Sequence, residues 1–325
     1  MLLLFLWIIP YVYRYKEYVV CYIYYIMDRI PNSYFYCNNK DIYPPFKTGL
    51  YLEEYFLQYY EHTRPVLKRK YIPALWTNFQ IESWFLSHKN AMQESLNKWV
   101  RENPADAYFT VVQHDDGCLL ELPPNTIVYG ACNGDVPIPL IYEDLNDTLE
   151  SYPRKTFSDK SYLCSFIGNI TSNAVIPNVR KTMMEVFKDN PNFYMMDSGG
   201  WTSAVATTNQ DLFIQTTINS KFAFAPRGYG RSSFRFFEVF QLGTIPVYIW
   251  NDVNWLPFQD AIDYNRLCIS IHVSEIETIE QKLLSITEEK YNEMMEYYQE
   301  VKYFFMLEGM TEQIFSLESE SSAIL

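Results

Sequence analysis

The chain has 325 residues, of which 48% are hydrophobic and 18% aromatic, and its net charge is −13. This length can bury a substantial core, and the aromatic content excludes a disordered or collagen-like chain. The acidic balance argues against a general nucleic-acid binder, which needs a basic face. Because 12 Glu and 3 Lys follow residue 273, the rest of the chain carries only −4, which leaves an anionic substrate possible there.

Residues 1–37 read as an apolar N-terminal extension. Pro10 interrupts the first apolar run, and neither run reaches the roughly 20 residues that a membrane span needs. No basic segment precedes the first run, as a signal peptide requires. We therefore expect this extension to lie outside the folded unit or at a membrane surface, with membrane association possible through residues 1–27.

Residues 38–150 are expected to form a first α/β domain. The apolar patterns predict helices at 50–57 and 82–101 and strands at 71–77, 108–113 and 126–129. The strand at 108–113 ends in the turn His114-Asp115-Asp116-Gly117. The polar stretch 143–160 predicts the domain boundary.

Residues 151–325 alternate strands with helices. Strands are predicted at 162–167, 193–196, 222–225, 245–249 and 267–271, and helices at 175–188, 209–219, 233–242, 276–286 and 288–305. This alternation predicts a parallel sheet covered by helices, so the fold class is α/β. The acidic helices near the C-terminus are interpreted as a solvated face.

The six cysteines are scattered and form no C-x-x-C pair, and the chain has four histidines, so no metal site is predicted. Free buried thiols are the simplest interpretation. If the chain is lumenal, Cys118 and Cys132 are the first pair to test for a disulfide.

The most informative segment links a strand that ends at Ala225 to a helix that begins near Ser232 or Ser233. Open N–H groups and the dipole at a helix start favour an anion. Arg227 and Arg231 in the intervening loop add bidentate donors that suit phosphate oxygens. Since ligands of parallel sheets bind at the carboxyl ends of the strands, the segment predicts a nucleotide-diphosphate site.

Four further residues of this segment allow two interpretations. Glu238 could accept hydrogen bonds from a ribose, or pair with Arg235 as an ordinary surface ion pair. Gly228 and Gly230 could let the backbone approach a phosphate, or serve only a tight turn.

The motif P-R-G-x-G-x-S-S-F-R-F-F-E at 226–238, then G-T-I-P-V at 243–247 and W-L-P-F at 255–258, resembles the exostosin family, glycosyltransferase family 47. The resemblance extends over residues 40–318, approximately. Thr244 and Ala225 (or Ala223) stand where the family usually has Cys, and no second catalytic domain follows.

The resemblance implies a GT-B-like architecture, in which two Rossmann-like domains face a cleft and the C-terminal one holds the donor. It also implies inverting transfer from a nucleotide sugar, often UDP-linked, to a glycan or glycoprotein, without an obligatory metal or other cofactor. Golgi or secretory membranes would be the location if residues 1–27 anchor the chain, and the cytoplasm otherwise. The implied donor-binding residues are Arg227, Gly228, Gly230, Arg231, Ser232 and Ser233 for the diphosphate, Glu238 for the ribose, and Arg235 and Gly243 beside them.

A base from the first domain must take the proton of the acceptor hydroxyl. His114, Asp115 and Asp116 are the candidates, because they end a predicted strand; an ordinary turn or a metal-binding acidic motif are the alternatives. Two rival functions stay open: a non-catalytic carbohydrate- or nucleotide-binding protein, and a fucosyltransferase-like enzyme with a GDP-sugar donor.

Overall fold

The computed structural model of this chain describes residues 29–38, 49–171, 178–199 and 207–319. Its strands form two parallel sheets that are flanked by helices, one in each half of the chain. This confirms the α/β class and the pair of helix-covered parallel sheets that a GT-B-like architecture requires. We refer to the two halves as the first and second lobes.

The first sheet has the strand order β1-β2-β3-β4, with all neighbours parallel. Its central strand β2 is buried along its whole length because helices cover both faces. The elements of this lobe are β1 (Lys70–Tyr71), β2 (Tyr108–Val112), β3 (Thr126–Gly130), β4 (Val136–Pro137), α1 (Leu52–Thr63), α2 (Trp76–Gln80) and α3 (Phe85–Glu102), with a 3-10 turn at Ser33–Tyr36.

The second sheet has the order β6-β5-β7-β8-β9, again all parallel. Its strands are β5 (Tyr162–Gly168), β6 (Phe193–Asp197), β7 (Ser220–Phe224), β8 (Ile245–Trp250) and β9 (Ile269–His272). The helices are α4 (Val179–Phe187), α5 (Thr207–Ile218), α6 (Phe234–Gln241), α7 (Tyr264–Leu267), α8 (Ile279–Leu284), α9 (Glu288–Val301) and α10 (Leu307–Glu318), with 3-10 turns at Phe157–Asp159, Val273–Thr278 and Lys302–Phe305.

The strand order of the second sheet identifies the switch point at which a ligand crevice is expected. The chain runs outward from β5 to β6 and then crosses back over β5 to β7, so the direction of winding reverses between β5 and β7. In open parallel sheets, ligands bind outside the carboxyl ends of the strands at this switch point. The topology therefore predicts a ligand site at the residues that follow Gly168, at the end of β5, and Phe224, at the end of β7.

Several elements differ from the sequence-based prediction. The strand expected at 71–77 is only two residues long, because Pro73 cannot donate to the sheet and α2 begins at Trp76. The strand expected at 267–271 starts at Ile269, after the short helix α7. Helix α10 was not predicted.

The domain limits also differ from the expected 38–150 and 151–325. Residues 29–37 belong to the first lobe, where Ile30 and Phe35 are buried and Arg29 forms a bidentate ion pair with Glu61. At the other end, α10 returns from the second lobe to pack on α1, and the side chain of Glu318 is completely buried there.

One hydrophobic core runs through the junction of the lobes. It joins Phe109 and Tyr129 of the first sheet to Phe236, Phe240 and Tyr248 of the second lobe. Because burying each such ring stabilises the fold by about 2–3 kcal/mol, this shared core holds the lobes together.

The described part of the chain contains no helix that is long and apolar enough to cross a membrane. Residues 1–27, for which membrane association was predicted, lie outside the described residues.

Candidate functional site

The His-Asp-Asp-Gly segment forms a tight turn at the carboxyl end of β2, which we call the acidic turn (residues 114–117). Gly117 closes it with a φ of +73° and donates its N–H to the carbonyl of His114 at 3.0 Å. The N–H of Asp116 donates to Nδ1 of His114 at 3.2 Å. Burial lowers the pKa of His114, although Asp115 and Asp116 oppose the effect, so the imidazole is neutral at neutral pH.

The carboxylate of Asp115 faces the second lobe. A Cβ added at Gly230 would lie 2.2 Å from Oδ1 of Asp115 and 2.7 Å from Sγ of Cys132, so only a glycine allows this approach. Asp115 is open to solvent on one side, while protein surrounds it on the others. This burial raises the pKa of Asp115 above the usual range of an aspartate, against the opposing effects of Cys132 and Arg180.

The second lobe contributes the loop of residues 226–233, which we call the arginine loop. The guanidinium group of Arg227, which is 5% exposed, donates to the carbonyl of Tyr229 at 2.9 Å, to Oδ1 of Asn251 at 2.8 Å, and to Asp252. Arg231 donates to Oδ2 of Asp252 at 2.8 Å. Both predicted phosphate ligands are therefore occupied by protein partners.

Asp252 is the common partner of these two arginines. Burial raises the pKa of Asp252, but hydrogen bonds from Arg231, the backbone N–H of Val253 and Arg227 outweigh it and lower the pKa to about 2. Arg231 also reaches the first lobe, because its Nη1 donates to Oδ1 of Asn133 at 2.9 Å and its guanidinium lies 5.2 Å from the ring centroid of Trp255. These contacts fix the arginine loop and join it to the first lobe.

Two other arginines lie at the switch point between β5 and β7. Arg180, in the first turn of α4, donates to the carbonyls of Asn169 at 3.0 Å and Arg227 at 3.2 Å. Arg235, in the first turn of α6, stacks over the rings of Phe166 and Phe213 at 5.2 and 4.8 Å.

The glycines of this region make room for these two cations. A Cβ at Gly168 would lie 2.8 Å from Nη2 of Arg235, and a Cβ at Gly228 would lie 2.9 Å from Nη2 of Arg180. Gly228 therefore lies beside Arg180, whereas Gly230 contacts the acidic turn; a part of either glycine in donor binding stays a prediction.

Neither Arg180 nor Arg235 forms an ion pair among the described residues, although the carboxylates of Asp115 and Glu238 act on Arg180 and Arg235, respectively, from a longer distance. In the described part of the chain, no carboxylate lies within 4.0 Å of either guanidinium group. Burial, followed by the proximity of Arg235, lowers the pKa of Arg180 to about 10, and Asp115 opposes the shift. Two close and partly desolvated cations repel each other, so an anion bound between them would be stabilised by both.

The start of α6 adds backbone donors to this crevice. Ser233 is the N-cap residue, but its side chain makes no capping hydrogen bond, and Ser232 precedes it in the arginine loop. Helix starts leave N–H groups without intrahelical partners and favour negative charge. The helix start expected near Ser232 or Ser233 is therefore present, with Ser233 as its N-cap residue and Arg235 in its first turn.

Glu238 lies one turn along α6. Its Oε1 accepts a hydrogen bond from the hydroxyl of Tyr142 at 2.8 Å, across the junction of the lobes. Burial raises the pKa of Glu238, while Arg235 and Tyr142 lower it. Glu238 forms no ion pair with Arg235 within 4.0 Å among the described residues, so the surface ion-pair interpretation is not supported.

Gly243 lies apart from these residues, and its predicted part in donor binding stays a prediction. It follows the opposite end of α6, with a φ of +71°, and its carbonyl accepts from the hydroxyl of Tyr291 at 3.0 Å. It immediately precedes β8 and so lies at the amino edge of the sheet, whereas ligands bind at the carboxyl edge.

Sequence reasoning missed Arg180, although a signal was present. Acidic residues are favoured in the first turn of a helix, and Arg180 places a positive charge there, two residues after the N-cap Asn178. Because a positive charge in the first turn destabilises a helix, its presence here indicates that a cation is needed at this position for another reason. Asn133, Tyr142 and Asp252 were missed because only tertiary contacts reveal their roles.

Among the described residues, no group of three or more His, Cys, Asp or Glu is arranged to hold a metal ion. Cys118 and Cys132 are free thiols, so the disulfide suggested for them is not formed. Burial raises the pKa of the Cys132 thiol, which stays protonated beside Asp115.

Comparisons with known proteins agree with the motif. The family model of the exostosin GT47 domain matches residues 125–287. A probable glycosyltransferase of Arabidopsis thaliana is 28% identical over 211 residues, which is 59% of this chain and 41% of that protein. The exostosin-1 homolog of Caenorhabditis elegans is 36% identical over 78 residues, which is 24% of this chain and 20% of that protein. The matches thus span less than half the length of these relatives.

Among solved structures, the crystal structure of TarM is similar over 71% of this chain and 45% of that chain, with 12% identity and a TM-score of 0.37.

Proposed function

Because the chain belongs to the exostosin family of glycosyltransferases, family 47, we propose that it transfers a sugar from a UDP-sugar to a hydroxyl group of a glycan or glycoprotein, with inversion at the anomeric carbon. The observation that carries the proposal is the pair of guanidinium groups at the switch point, neither of which forms an ion pair with a described carboxylate. Arg180 also interacts electrostatically with Asp115, a carboxylate of the opposite lobe.

The donor diphosphate binds between Arg180, Arg235 and the start of α6. The two guanidinium groups supply full positive charges and planar donors, and the helix start supplies backbone N–H groups. The carboxylate of Glu238, whose Oε1 already accepts from Tyr142, orients toward the ribose hydroxyls. Arg227 and Arg231 act indirectly. Their ion pairs with Asp252 hold in place the arginine loop, which carries Gly228.

Asp115 is the general base. It takes the proton from the acceptor hydroxyl, whose oxygen attacks the anomeric carbon as the bond to the diphosphate oxygen breaks. The electron pair of that bond goes to the diphosphate, where Arg180 and Arg235 stabilise the growing negative charge. A base in one lobe and the leaving group in the other place attack and departure on opposite faces of the sugar, which gives inversion.

Asp115 suits this role better than its neighbours do. The carboxylate of Asp116 accepts from the hydroxyl of Tyr229 at 3.2 Å, and Nδ1 of His114 accepts from the N–H of Asp116. Asp115 keeps its carboxylate toward the arginine loop and Arg180. The raised pKa of Asp115 also makes it a stronger base than an ordinary aspartate.

Because arginines supply the positive charge at the leaving group, the reaction needs no divalent cation. Transfer should therefore continue in excess EDTA, and a loss of transfer that added Mg²⁺ or Mn²⁺ restores would contradict this part of the proposal.

A screen of UDP-, GDP- and CMP-sugars for donor hydrolysis and for transfer to mixed glycan acceptors tests the function. We expect turnover with at least one UDP-sugar. Turnover with GDP-sugars alone would support the fucosyltransferase-like alternative. Tight UDP binding without turnover of any donor would support a non-catalytic nucleotide-binding protein.

A further inference from the structure

Asn133 connects the acidic turn of the first lobe with the arginine loop of the second. Its Nδ2 donates to the carbonyl of Asp116 at 3.2 Å, and its Oδ1 accepts from Nη1 of Arg231 at 2.9 Å. One side-chain amide therefore bonds on one side to the turn that carries Asp115, and on the other to the loop that borders the donor site.

Glycines hold the backbone of Asn133 in a tight turn after β3. A Cβ at Gly130 would lie 1.9 Å from the carbonyl oxygen of Asn133, and a Cβ at Gly117 would meet that oxygen at 3.4 Å. Gly134 completes the turn with a φ of +156°. The backbone that carries the Asn133 side chain is thus held by close contacts, as precise positioning of a neighbour requires.

The two partners of Asn133 depend on it to different degrees. Arg231 keeps its ion pair with Asp252 and its contact with the ring of Trp255 when the amide is removed. On its Gly117 side, the acidic turn keeps the hydrogen bond from Nε2 of Gln80 to the carbonyl of Gly117 at 2.8 Å. On its Asp115–Asp116 side, it keeps the thiol of Cys132 on Asp115 and the hydroxyl of Tyr229 on Asp116, and the side chain of Tyr229 is 46% exposed and therefore competes with water. Loss of Asn133 should release the acidic turn more than the arginine loop.

We propose that Asn133 is a positioning residue of the transfer reaction, which holds the acidic turn against the arginine loop so that the carboxylate of Asp115 faces the donor. The inference rests on the proposed function, since it assigns Asn133 a part in the same reaction. Asn133 acts through the turn and touches neither the donor nor the acceptor.

Two variants distinguish the hydrogen bond that Asn133 makes to Asp116 from the one that it makes to Arg231. Asn133→Ala removes both. Asn133→Asp keeps an acceptor for Arg231 and has nearly the same shape, but it replaces the N–H donor with an oxygen that repels the carbonyl of Asp116. Asn97→Ala on the outer face of α3 is the matched control, because Asn97 is exposed and distant in the fold from the junction.

The experiment measures kcat and the donor KM for transfer, the dissociation constant of UDP by calorimetry, and the thermal midpoint of each variant. We expect kcat to fall about 10- to 100-fold in both Asn133 variants, since small displacements of a catalytic group have effects of this size. The donor KM and the UDP affinity should stay within about threefold of wild type, and the aspartate variant should keep its thermal midpoint.

Wild-type kcat in Asn133→Asp would overturn the inference, because the bond to Arg231 would then be the one that matters. A parallel loss of UDP affinity in both variants would also overturn it, by making Asn133 part of donor binding. A wild-type chain that transfers no sugar would remove the proposed function itself, whereas active wild type with unaffected variants would remove this inference alone.

Discussion

The four arginines around the crevice differ in what surrounds them, and this difference decides their roles. Arg227 and Arg231 share the carboxylate of Asp252, so their positive charge is largely neutralised within the protein. Arg235 lies over two aromatic rings, and Arg180 donates to neutral carbonyls. The latter two form no ion pair with a described carboxylate, and the proposed mechanism assigns the diphosphate to them; the sequence motif alone does not make this distinction.

Substitution of the two carboxylates of the acidic turn should give unequal effects. Asp115→Asn removes the base and should lower kcat by about 100-fold or more, whereas Asp116→Asn keeps the backbone bonds of the turn and should lower it by less than about tenfold. Steady-state kinetics of the two purified variants, with circular dichroism as the folding control, measures the difference. Equal, near-native activity of both variants would remove Asp115 from the mechanism.

The assignment of Asp115 as the general base predicts how the reaction depends on pH. A general base works only when it is deprotonated, so kcat/KM should fall as the pH drops through the pKa of Asp115. Burial raises that pKa, and the nearby Asp116 adds to it, while Cys132, His114 and Arg180 oppose it. The pH at which kcat/KM falls on the acid side should therefore lie above the usual pKa range of an aspartate. A profile that stays flat down to pH 4, with the fold intact, would exclude this assignment.

At the scale of elements, the arginine loop packs against the acidic turn at Gly230. A methyl group at position 230 would overlap Oδ1 of Asp115 and Sγ of Cys132, so Gly230→Ala must push the loop and the turn apart. We expect a loss of about 1–3 kcal/mol in the free energy of unfolding and a larger proportional loss of kcat. Urea denaturation and kinetics measure the two effects.

Gly199→Ala is a steric control for that substitution, because a Cβ there meets no atom of the described residues within 4 Å. The positive φ of Gly199 makes the control a test of backbone strain without steric overlap. If Gly230→Ala were as active and as stable as wild type, the close contact between the lobes would not exist in solution.

The sequence predicts elements where local pattern decides them. Strand β2 and the β7–loop–α6 unit are recognisable because apolar runs end at Gly- or Asp-rich turns. The two-residue strand β1 and helix α10 are not, since packing against distant partners forms them. The motif also groups Gly243 with Arg227, although helix α6 separates them in space, because adjacency in a motif is not proximity in the fold.

At the scale of the whole molecule, helix α10 stabilises the junction of the two lobes. Glu318 at its end is completely buried and accepts from Arg69 at 3.0 and 3.2 Å and from the hydroxyl of Tyr129. The helix starts after the elements of the second lobe and ends on strands of the first. It therefore links both lobes in one folding unit.

Glu318→Ala should lower the free energy of unfolding by about 3 kcal/mol, because it leaves Arg69 and the Tyr129 hydroxyl without their partner in a buried site. Ser316→Ala, at an exposed position of the same helix, is the control. Denaturant unfolding measures both variants. A Glu318→Ala stability within about 0.5 kcal/mol of the control would show that α10 does not hold the junction.

Calorimetric titration of UDP into the wild type, Arg180→Ala, Arg235→Ala and Lys181→Ala tests the central claim most directly. Lys181 is the matched control, since it adjoins Arg180 on α4 but is exposed and faces Glu185 at 3.9 Å. We predict that each arginine variant loses about 100-fold in affinity at an unchanged fold, corresponding to roughly 3 kcal/mol, and that the lysine variant binds as wild type does. Unchanged UDP affinity in both arginine variants would contradict the diphosphate site at the switch point.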